Sequence, residues 1–295
     1  MEPILKYPGA KWRLAEWIID HMPTHDSYLE PFFGSGAVFF NKPRSRLETI
    51  NDIDGAIVRF FRTCREQPEA LARAIMLTPW ARGEYRMCDF TDPDTGTDDV
   101  ECARRLAVRC WMTFGARTRC KTGWRHSVGK TDNGGPANPK LWNRLPDTVM
   151  QVAERLKDAQ IESRDAIDVI RDFNGSQVLI YADPPYLKQT RTLNGDQYRH
   201  EMDDGAHTRL LDALNEHRGM VLLSGYDSEL YRASLPDWVQ LRKHTTAERG
   251  IRRIESLWIN PRTVALLKMT GNEVGTQLHL TDIDMGKEDS QLGAI

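Results

Sequence analysis

The sequence predicts an α/β fold built on a mainly parallel sheet, because short apolar segments alternate with amphipathic helices along the chain. Several of the apolar segments end in an acidic or polar residue, which is typical of parallel strands whose carboxyl ends meet at one edge of a sheet. The chain also contains a long stretch that breaks the alternation, which indicates an insertion. Strands are predicted at 28–29, 47–50, 177–182 and 219–223, helices at 53–65, 102–114 and 206–217, a further helix beginning near Ala37, and a terminal hairpin over 257–269.

Size and composition limit the classes of protein that the chain can belong to. A length of 295 residues suffices for one large domain that carries an insertion. The formal net charge of -2 gives no global attraction to nucleic acid, so any DNA-binding surface must be a local patch. None of the five cysteines forms a closely spaced pair, which argues against a metal site. We expect a soluble cytoplasmic protein, since we find neither a signal segment nor an apolar run of membrane-spanning length.

A glycine-rich turn, Glu30–Gly36, follows the first predicted strand. Gly34 and Gly36 leave room for a ligand to approach the backbone closely, where a Cβ atom would collide. No Gly-Lys-Ser/Thr follows, so the turn is not the phosphate loop of nucleotide hydrolases. A tight turn without any ligand is an equally good interpretation of this feature alone.

Asp52 lies at the end of the second predicted strand, where a carboxylate can accept hydrogen bonds from both hydroxyls of a ribose. The alternative is that Asp52 caps the helix that follows, although Asp54 is also available for that task. Together, the glycine turn and Asp52 favour a cofactor that contains a nucleoside.

Asp183-Pro184-Pro185-Tyr186 follows the buried strand predicted at 177–182. The two prolines make the backbone rigid and keep their carbonyl oxygens as acceptors. With the carboxylate and the flat tyrosine ring, they suit a planar group whose amine needs two acceptors and a stacking surface, as adenine does. A proline-rich turn with a buried tyrosine is the structural alternative.

Adenine's exocyclic amine is a poor nucleophile, because its lone pair is delocalised into the ring. Acceptors that hold the amine hydrogens out of the ring plane would aim the lone pair at an electrophilic methyl group. We assign that role to the Asp183 carboxylate and the Pro184 carbonyl, so that positioning and electrostatics supply most of the catalysis. Tyr186 would then stack on a base rotated out of the duplex.

The chain resembles the Dam-like (alpha-group) DNA adenine-N6 methyltransferase family, which includes many phage members. The resemblance is carried by 6–11, 30–36, Asn51-Asp52, Asp183–Tyr186 and 198–202, with His207 and 255–258, in the family's order. It implies a Rossmann-like S-adenosylmethionine-dependent methyltransferase sheet, with an inserted, mainly helical target-recognition domain. Tyr7 stands where tryptophan is frequent, and Ala10 where a second glycine is frequent.

The resemblance implies S-adenosylmethionine as cofactor and Asp165 as a contact of the cofactor's adenine. For Lys11 the alternative is a solvated residue of the first helix, and for Tyr7 it is a core aromatic. We place His207 among structural residues. The cofactor-binding residues expected from the motifs and the resemblance together are Tyr7, Lys11, Glu30, Phe32, Gly34, Gly36, Asp52, Asp165 and Asp183.

A basic segment, 104–130, lies in the stretch that breaks the α/β alternation and contains no acidic residue. On a nearly neutral chain it is the best candidate for a phosphate-binding surface, although Arg104 and Arg105 on their own fit a solvated helix face. The resemblance makes this stretch the target-recognition region. The expected DNA contacts are Arg117, Arg119, Lys121, Trp124, Arg125 and Lys130, together with Lys188 and Arg191 beyond the Asp183–Tyr186 motif.

These observations predict a catalytic domain formed by 1–67 and 157–272, an inserted target-recognition region at 68–156 and a polar tail at 273–295. The expected enzyme methylates the N6 amine of a flipped adenine at specific sites in double-stranded DNA, acts as a monomer, and needs neither metal nor membrane. The alternatives are a cytosine-N4 or RNA amino-methyltransferase and a DNA-binding relative that has lost catalysis. An aspartate at position 183 favours adenine, because cytosine enzymes more often carry serine there.

Overall fold

The computed structural model of the protein describes residues 1–89, 98–114, 123–126, 138–187, 199–246 and 252–271. Within these residues the chain forms one sheet of seven strands, in the order β3-β2-β1-β4-β5-β7-β6. β7 runs antiparallel to both of its neighbours, β5 and β6, and the other described strand pairs are parallel. The strands are β1 (Ser27–Glu30), β2 (Leu47–Asn51), β3 (Gln160–Glu162), β4 (Val178–Ala182), β5 (Met220–Gly225), β6 (Val239–Thr246) and β7 (Arg252–Ile259).

Helices cover both faces of this sheet, as the mainly parallel strands require. Side chains alternate between two apolar clusters, with Tyr28 and Tyr181 on one face and Leu29 and Ile180 on the other. The α/β prediction is therefore confirmed. The helices are α1 (Ala15–Ile19), α2 (Gly55–Glu66), α3 (Pro68–Met76), α4 (Arg82–Asp89), α5 (Asp99–Met112), α6 (Asn138–Trp142), α7 (Leu145–Leu156), α8 (Ala166–Asp172), α9 (Asp204–Asn215), α10 (Glu229–Ser234) and α11 (Pro261–Met269).

Two of the sequence predictions are wrong. The terminal hairpin is instead the strand β7 followed by the helix α11, because Asn260 caps that helix and Pro261 occupies its first turn. The helix expected near Ala37 is a series of turns. Its apolar run is only a few residues long, and Pro43 prevents it from continuing as a helix.

The described part of the region 68–156 is mainly helical, with one isolated bridge between Thr113 and Trp124, and it packs into the same core as α2. The indole of Trp111, on α5, donates a hydrogen bond to the backbone oxygen of Ile4 at 2.9 Å. The independence of this region as a target-recognition domain stays a prediction. Residues 272–295, which include the predicted tail, lie outside the described residues.

A buried ionic cluster joins α7 to the sheet. Arg155 donates to both carboxylate oxygens of Glu48 on β2, with one contact at 2.8 Å, and Lys42 donates to the same carboxylate at 2.7 Å. All three side chains are buried. Because each charge is satisfied by the others, removing one partner would leave an uncompensated charge in the core.

Gly36 has a packing role that we test by substitution. Its φ is +66°, and a Cβ atom would lie 2.5 Å from both the Phe33 and Phe40 rings. We expect Gly36→Ala to lower the free energy of unfolding by about 2–4 kcal/mol, because left-handed strain adds to overpacking. Urea denaturation measures this change. Gly83→Ala is the control, since a Cβ there meets no atom within 4 Å, and equal losses in both variants would contradict the packing role.

Candidate active site

A cleft of about 400 Å³ opens at the carboxyl edge of the sheet. Glu30, from the end of β1, and Asp183, which follows β4, both line it, so the cleft lies where the strand order reverses. Ligands of doubly wound sheets bind at this topological switch point. Of the residues predicted to bind a cofactor, those that line the cleft are Tyr7, Lys11, Glu30, Phe32, Gly34, Asp52, Asp165 and Asp183.

Asp52 lines the cleft, and its carboxylate also supports the neighbouring backbone. It accepts hydrogen bonds from the backbone nitrogens of Gly34 at 2.8 Å and Asp54 at 2.9 Å. Burial raises its pKa to about 6, even though these hydrogen bonds oppose the shift. Asp54 caps α2 by accepting from the nitrogen of Ala56 at 3.1 Å, so the capping task considered for Asp52 falls to its neighbour.

The two glycines of the Glu30–Gly36 turn have different surroundings. Gly34 lines the cleft with φ +51°, and a Cβ atom there would lie 3.4 Å from the ring of Tyr7. Gly36 is not among the lining residues and packs against phenylalanine rings. A glycine is therefore favoured at position 34 by its left-handed backbone, in which an L side chain would be strained.

Glu30 is buried at the base of the cleft and accepts a hydrogen bond from the Tyr28 hydroxyl at 2.7 Å. Burial raises its pKa to about 8, and the negative charge of Asp183 adds to that shift. At neutral pH the Glu30 carboxyl is therefore mostly protonated.

This raised pKa predicts how stability depends on pH. Between about pH 4.5 and pH 8 the folded state holds a proton on Glu30 that the unfolded state has lost, so the free energy of unfolding falls as pH rises. We expect Glu30→Gln, which stays neutral, to be more stable than the wild type at pH 8 and to gain least at pH 5. Urea denaturation at both pH values measures this. Glu154→Gln at an exposed position is the control, and an identical pH dependence in Glu30→Gln and wild type would contradict the assignment.

Asp183 and Lys11 form an ion pair on one wall of the cleft, with the Lys11 ammonium 3.1 Å from Oδ1 of Asp183. Lys11 is buried, which excludes the solvated alternative, and also donates to the backbone oxygen of Gly9 at 2.8 Å. Burial raises the pKa of Asp183, and the Lys11 ammonium counteracts that shift. The ion pair thus partly offsets the tendency of burial to neutralise Asp183.

Tyr186 lies beside this pair, with the Lys11 ammonium 4.7 Å from the centre of its ring. Its hydroxyl donates to Glu255 at 3.0 Å. Within the motif, Pro184 is buried, whereas Pro185 lines the cleft. Asp183 and Pro185 of the motif therefore line the cleft, whereas Tyr186 is not among the lining residues and adjoins them through Lys11.

The other predicted cofactor contacts have structural partners as well. Asp165 caps α8 by accepting from the nitrogen of Ile167 at 2.8 Å. Phe32 is half-buried against the apolar cluster on the α8 and α9 face of the sheet, and Tyr7 is half-buried against the other cluster. His207 is fully buried and contacts the Tyr231 hydroxyl at 3.1 Å, in agreement with a structural role.

Three arginines that line the cleft received no site role from the sequence: Arg171, Arg209 and Arg199, the last of which lies in the 198–202 segment that carries the resemblance. Arg199 lies 3.6 Å from the carboxylate of Asp54. Arg171 and Arg209 lie on α8 and α9, outside any motif. Arg171 and Arg209 can be connected with the cleft only when the positions of α8 and α9 around it are known.

The predicted DNA contacts lie mostly outside the described residues, namely Arg117, Arg119, Lys121, Lys130, Lys188 and Arg191. Trp124 is half-buried, with its ring 4.7 Å from the Arg82 guanidinium and stacked on His126 at 5.8 Å. The backbone nitrogen of Arg125 donates to Met112 at 2.7 Å. Arg105 pairs with Glu101 along α5, whereas Arg104 is not a solvated residue: its side chain is 12% exposed and pairs with both Glu101 and Glu84 of α4.

No helix among the described residues is long and apolar enough to cross a membrane. In the same part of the chain, no three histidine, cysteine, aspartate or glutamate side chains are grouped so that they could hold a metal ion.

Comparisons with known proteins identify DNA methyltransferases that are similar to this chain. A Type II methyltransferase of Lactococcus lactis, M1.LlaDCHI, is 25% identical over 68% of this chain and 71% of its own length. A DNA adenine methylase of Vibrio cholerae is 25% identical over 78% of this chain and 84% of its own length. The DNA adenine methylase of Escherichia coli is 23% identical over 81% of this chain and 84% of its own length. A precorrin 8w decarboxylase structure from Methanobacterium thermoautotrophicum covers 86% of this chain and 92% of its own at 8% identity, with a TM-score of only 0.36.

The family described as D12 class N6 adenine-specific DNA methyltransferase matches residues 7–248. That range begins at the Tyr7 wall of the cleft and includes both the glycine turn and the Asp183–Tyr186 motif. The chain therefore belongs to the D12 class of N6 adenine-specific DNA methyltransferases.

Proposed function

We propose that this enzyme uses S-adenosylmethionine, bound in the cleft, to methylate the N6 amine of an adenine that has rotated out of double-stranded DNA. The observation that carries the proposal is the Asp183 carboxylate, which lines the cleft and pairs with Lys11, whose ammonium also lies 4.7 Å from the centre of the Tyr186 ring. These groups would offer an acceptor and a stacking surface to a base whose amine would otherwise be paired in the duplex.

The cleft fits a nucleoside with a cationic side chain. Its volume of about 400 Å³ lies within the range of cofactor sites. Asp52 offers carboxylate oxygens to two ribose hydroxyls, and Gly34 leaves the backbone open to close approach. Asp183 supplies negative charge on the wall nearest the site of transfer. The bound cofactor supplies an electrophilic methyl group.

The residues of the Asp183–Tyr186 motif activate and orient the amine. Asp183 and the Pro184 carbonyl accept its two hydrogens, which holds the lone pair out of the ring plane. The Lys11 ammonium lowers the pKa of Asp183 and so opposes the effect of burial, which favours the carboxylate as an acceptor. The amine nitrogen becomes strongly acidic once methylated, so water can take its proton and Asp183 need not be a strong base.

We also propose that the enzyme acts as a monomer and contacts DNA through the basic segment 104–130. The support is the absence of acidic residues in that segment and the aromatic stack that holds Trp124. The DNA contacts proposed are Arg117, Arg119, Lys121, Trp124, Arg125, Lys130, Lys188 and Arg191.

The test is methyl transfer from labelled S-adenosylmethionine to unmethylated duplex DNA, followed by digestion to nucleosides. We expect label in N6-methyladenine and none in cytosine. Label in N4-methylcytosine, or transfer to RNA in preference to DNA, would contradict the proposal. Binding of the cofactor and DNA without any transfer would instead favour the relative that has lost catalysis.

A further inference from the structure

Two tyrosine hydroxyls converge on one carboxylate behind the catalytic motif. Tyr186 donates to Oε2 of Glu255 at 3.0 Å, and Tyr226 donates to Oε1 of the same residue at 3.3 Å. The two tyrosine rings meet edge to face, with their centroids 4.6 Å apart and their planes at 69°. Both oxygens of Glu255 are therefore used, one for each ring.

The sheet brings these three residues together from distant parts of the chain. Tyr186 follows β4 and Tyr226 follows β5, whereas Glu255 lies on the antiparallel strand β7. The register pairs Gly225 with Ser256, which brings Glu255 beside Tyr226. All three side chains are partly buried, so the hydrogen bonds form where water competes less.

We propose that Glu255 is a positioning residue that fixes the plane of the Tyr186 ring on which the target base stacks, with Tyr226 as its second anchor. This inference rests on the proposed function. A tyrosine ring that is free to turn about its side-chain bonds would present the base at variable angles to Asp183. Holding the hydroxyl and supporting the ring at its edge remove that freedom before the substrate arrives.

A carboxylate is suited to this task because it offers two acceptors to two hydroxyl donors. A glutamine would keep one acceptor oxygen and turn a donor towards the other tyrosine. The negative charge of Glu255 also acts on the catalytic wall, where it raises the pKa of Asp183 and of Tyr186. The Lys11 ammonium, 4.7 Å from the Tyr186 ring, is the opposing charge there.

The test compares Glu255→Ala in the wild-type and Tyr186→Phe backgrounds. We expect Glu255→Ala to lower kcat by about tenfold to a hundredfold and to leave the affinities for S-adenosylmethionine and DNA nearly unchanged. In the Tyr186→Phe background, which lacks the hydroxyl, the same substitution should cause little further loss. Glu255→Gln should fall between Glu255→Ala and wild type. Full additivity of the two losses, or an unchanged kcat in Glu255→Ala, would overturn the proposal.

Two further measurements separate positioning from general damage to the fold. Duplex DNA with 2-aminopurine at the mapped target adenine should fluoresce more strongly with Glu255→Ala than with wild type, because the extruded base stacks less well. Equal fluorescence would count against the proposal. Glu216→Ala, at an exposed position, is the control and should match wild type in kcat and unfolding. If Glu255→Ala fails to fold, the comparison uses Glu255→Gln.

These results can be told apart from a failure of the proposed function. If wild type places no label in adenine, the proposed function fails. If wild type methylates adenine and Glu255→Ala does so equally well, only the positioning role fails.

Discussion

Replacing Asp183 with alanine is expected to reduce methyl transfer by at least about 10³-fold, because it removes the acceptor that we propose orients the target amine. Such a loss corresponds to about 4 kcal/mol of transition-state stabilisation. Affinity for DNA should change little, since phosphate contacts dominate it. Single-turnover transfer from labelled S-adenosylmethionine and a DNA-binding titration measure the two effects separately.

Asp183→Asn refines this test, since it keeps the shape and one oxygen but removes the charge that pairs with Lys11. We expect it to remain severely impaired. Asp212→Ala, at an exposed position on α9, is the matched control and should retain full activity. If Asp183→Ala kept a tenth or more of wild-type transfer, the assigned mechanism would be wrong.

Replacing Asp52 with alanine is expected to weaken binding of S-adenosylmethionine by about a hundredfold. Hydrogen bonds to a charged acceptor contribute about 1.5–3 kcal/mol each, and a hundredfold change corresponds to about 2.7 kcal/mol. Asp52→Asn keeps one acceptor and should lose less. Isothermal titration calorimetry measures the affinity, and urea denaturation checks that the Gly34 turn, which Asp52 supports at 2.8 Å, remains folded.

The raised pKa of Asp52, about 6, also predicts that cofactor affinity depends on pH. Hydroxyl donors favour the ionised carboxylate, so wild-type affinity for the cofactor should fall as pH drops below about 6. Asp52→Asn should lack this dependence on pH. Asp158→Ala, where the side chain is 85% exposed, is the control. Unchanged affinity in Asp52→Ala would remove Asp52 from the cofactor site.

The sequence predicted the parallel strands β1, β2, β4 and β5 from short apolar segments that end beside a polar residue, whereas β3, with the sequence Gln-Ile-Glu, was not predicted. Asp52 and Asp183 were found in this way, since the end of a parallel strand also defines an edge of the site. The residues next to each strand end were sufficient to predict these two positions. Asp54 illustrates the same point, because its capping role is decided by the residues directly beside it.

The terminal segment was mispredicted because competing local signals were weighed wrongly. Asn260-Pro261 resembles a turn between strands, yet it is also a good start for a helix. As a result, β7 was paired with the wrong partner. Its real partners are β5 and β6, and that pairing depends on contacts between segments far apart in the chain.

Long-range contacts also explain what was missed at the site. The ion pair between Lys11 and Asp183 joins residues more than a hundred and seventy positions apart in the chain. The role of Glu255 appears only when the antiparallel register is known. Neither contact leaves a periodic pattern or a spacing that sequence reasoning can detect.

The buried ionic cluster of Lys42, Glu48 and Arg155 limits how this enzyme can be recombined. A chimera that takes residues 68–156 from a relative inherits whatever that relative carries at position 155. Without an arginine there, Glu48 on β2 would lose one of its two cationic partners and keep only Lys42. Removing one partner of a buried ion pair lowers the free energy of unfolding by about 3–5 kcal/mol. Exchanges meant to alter sequence preference should therefore end before α7 or carry Arg155 with them.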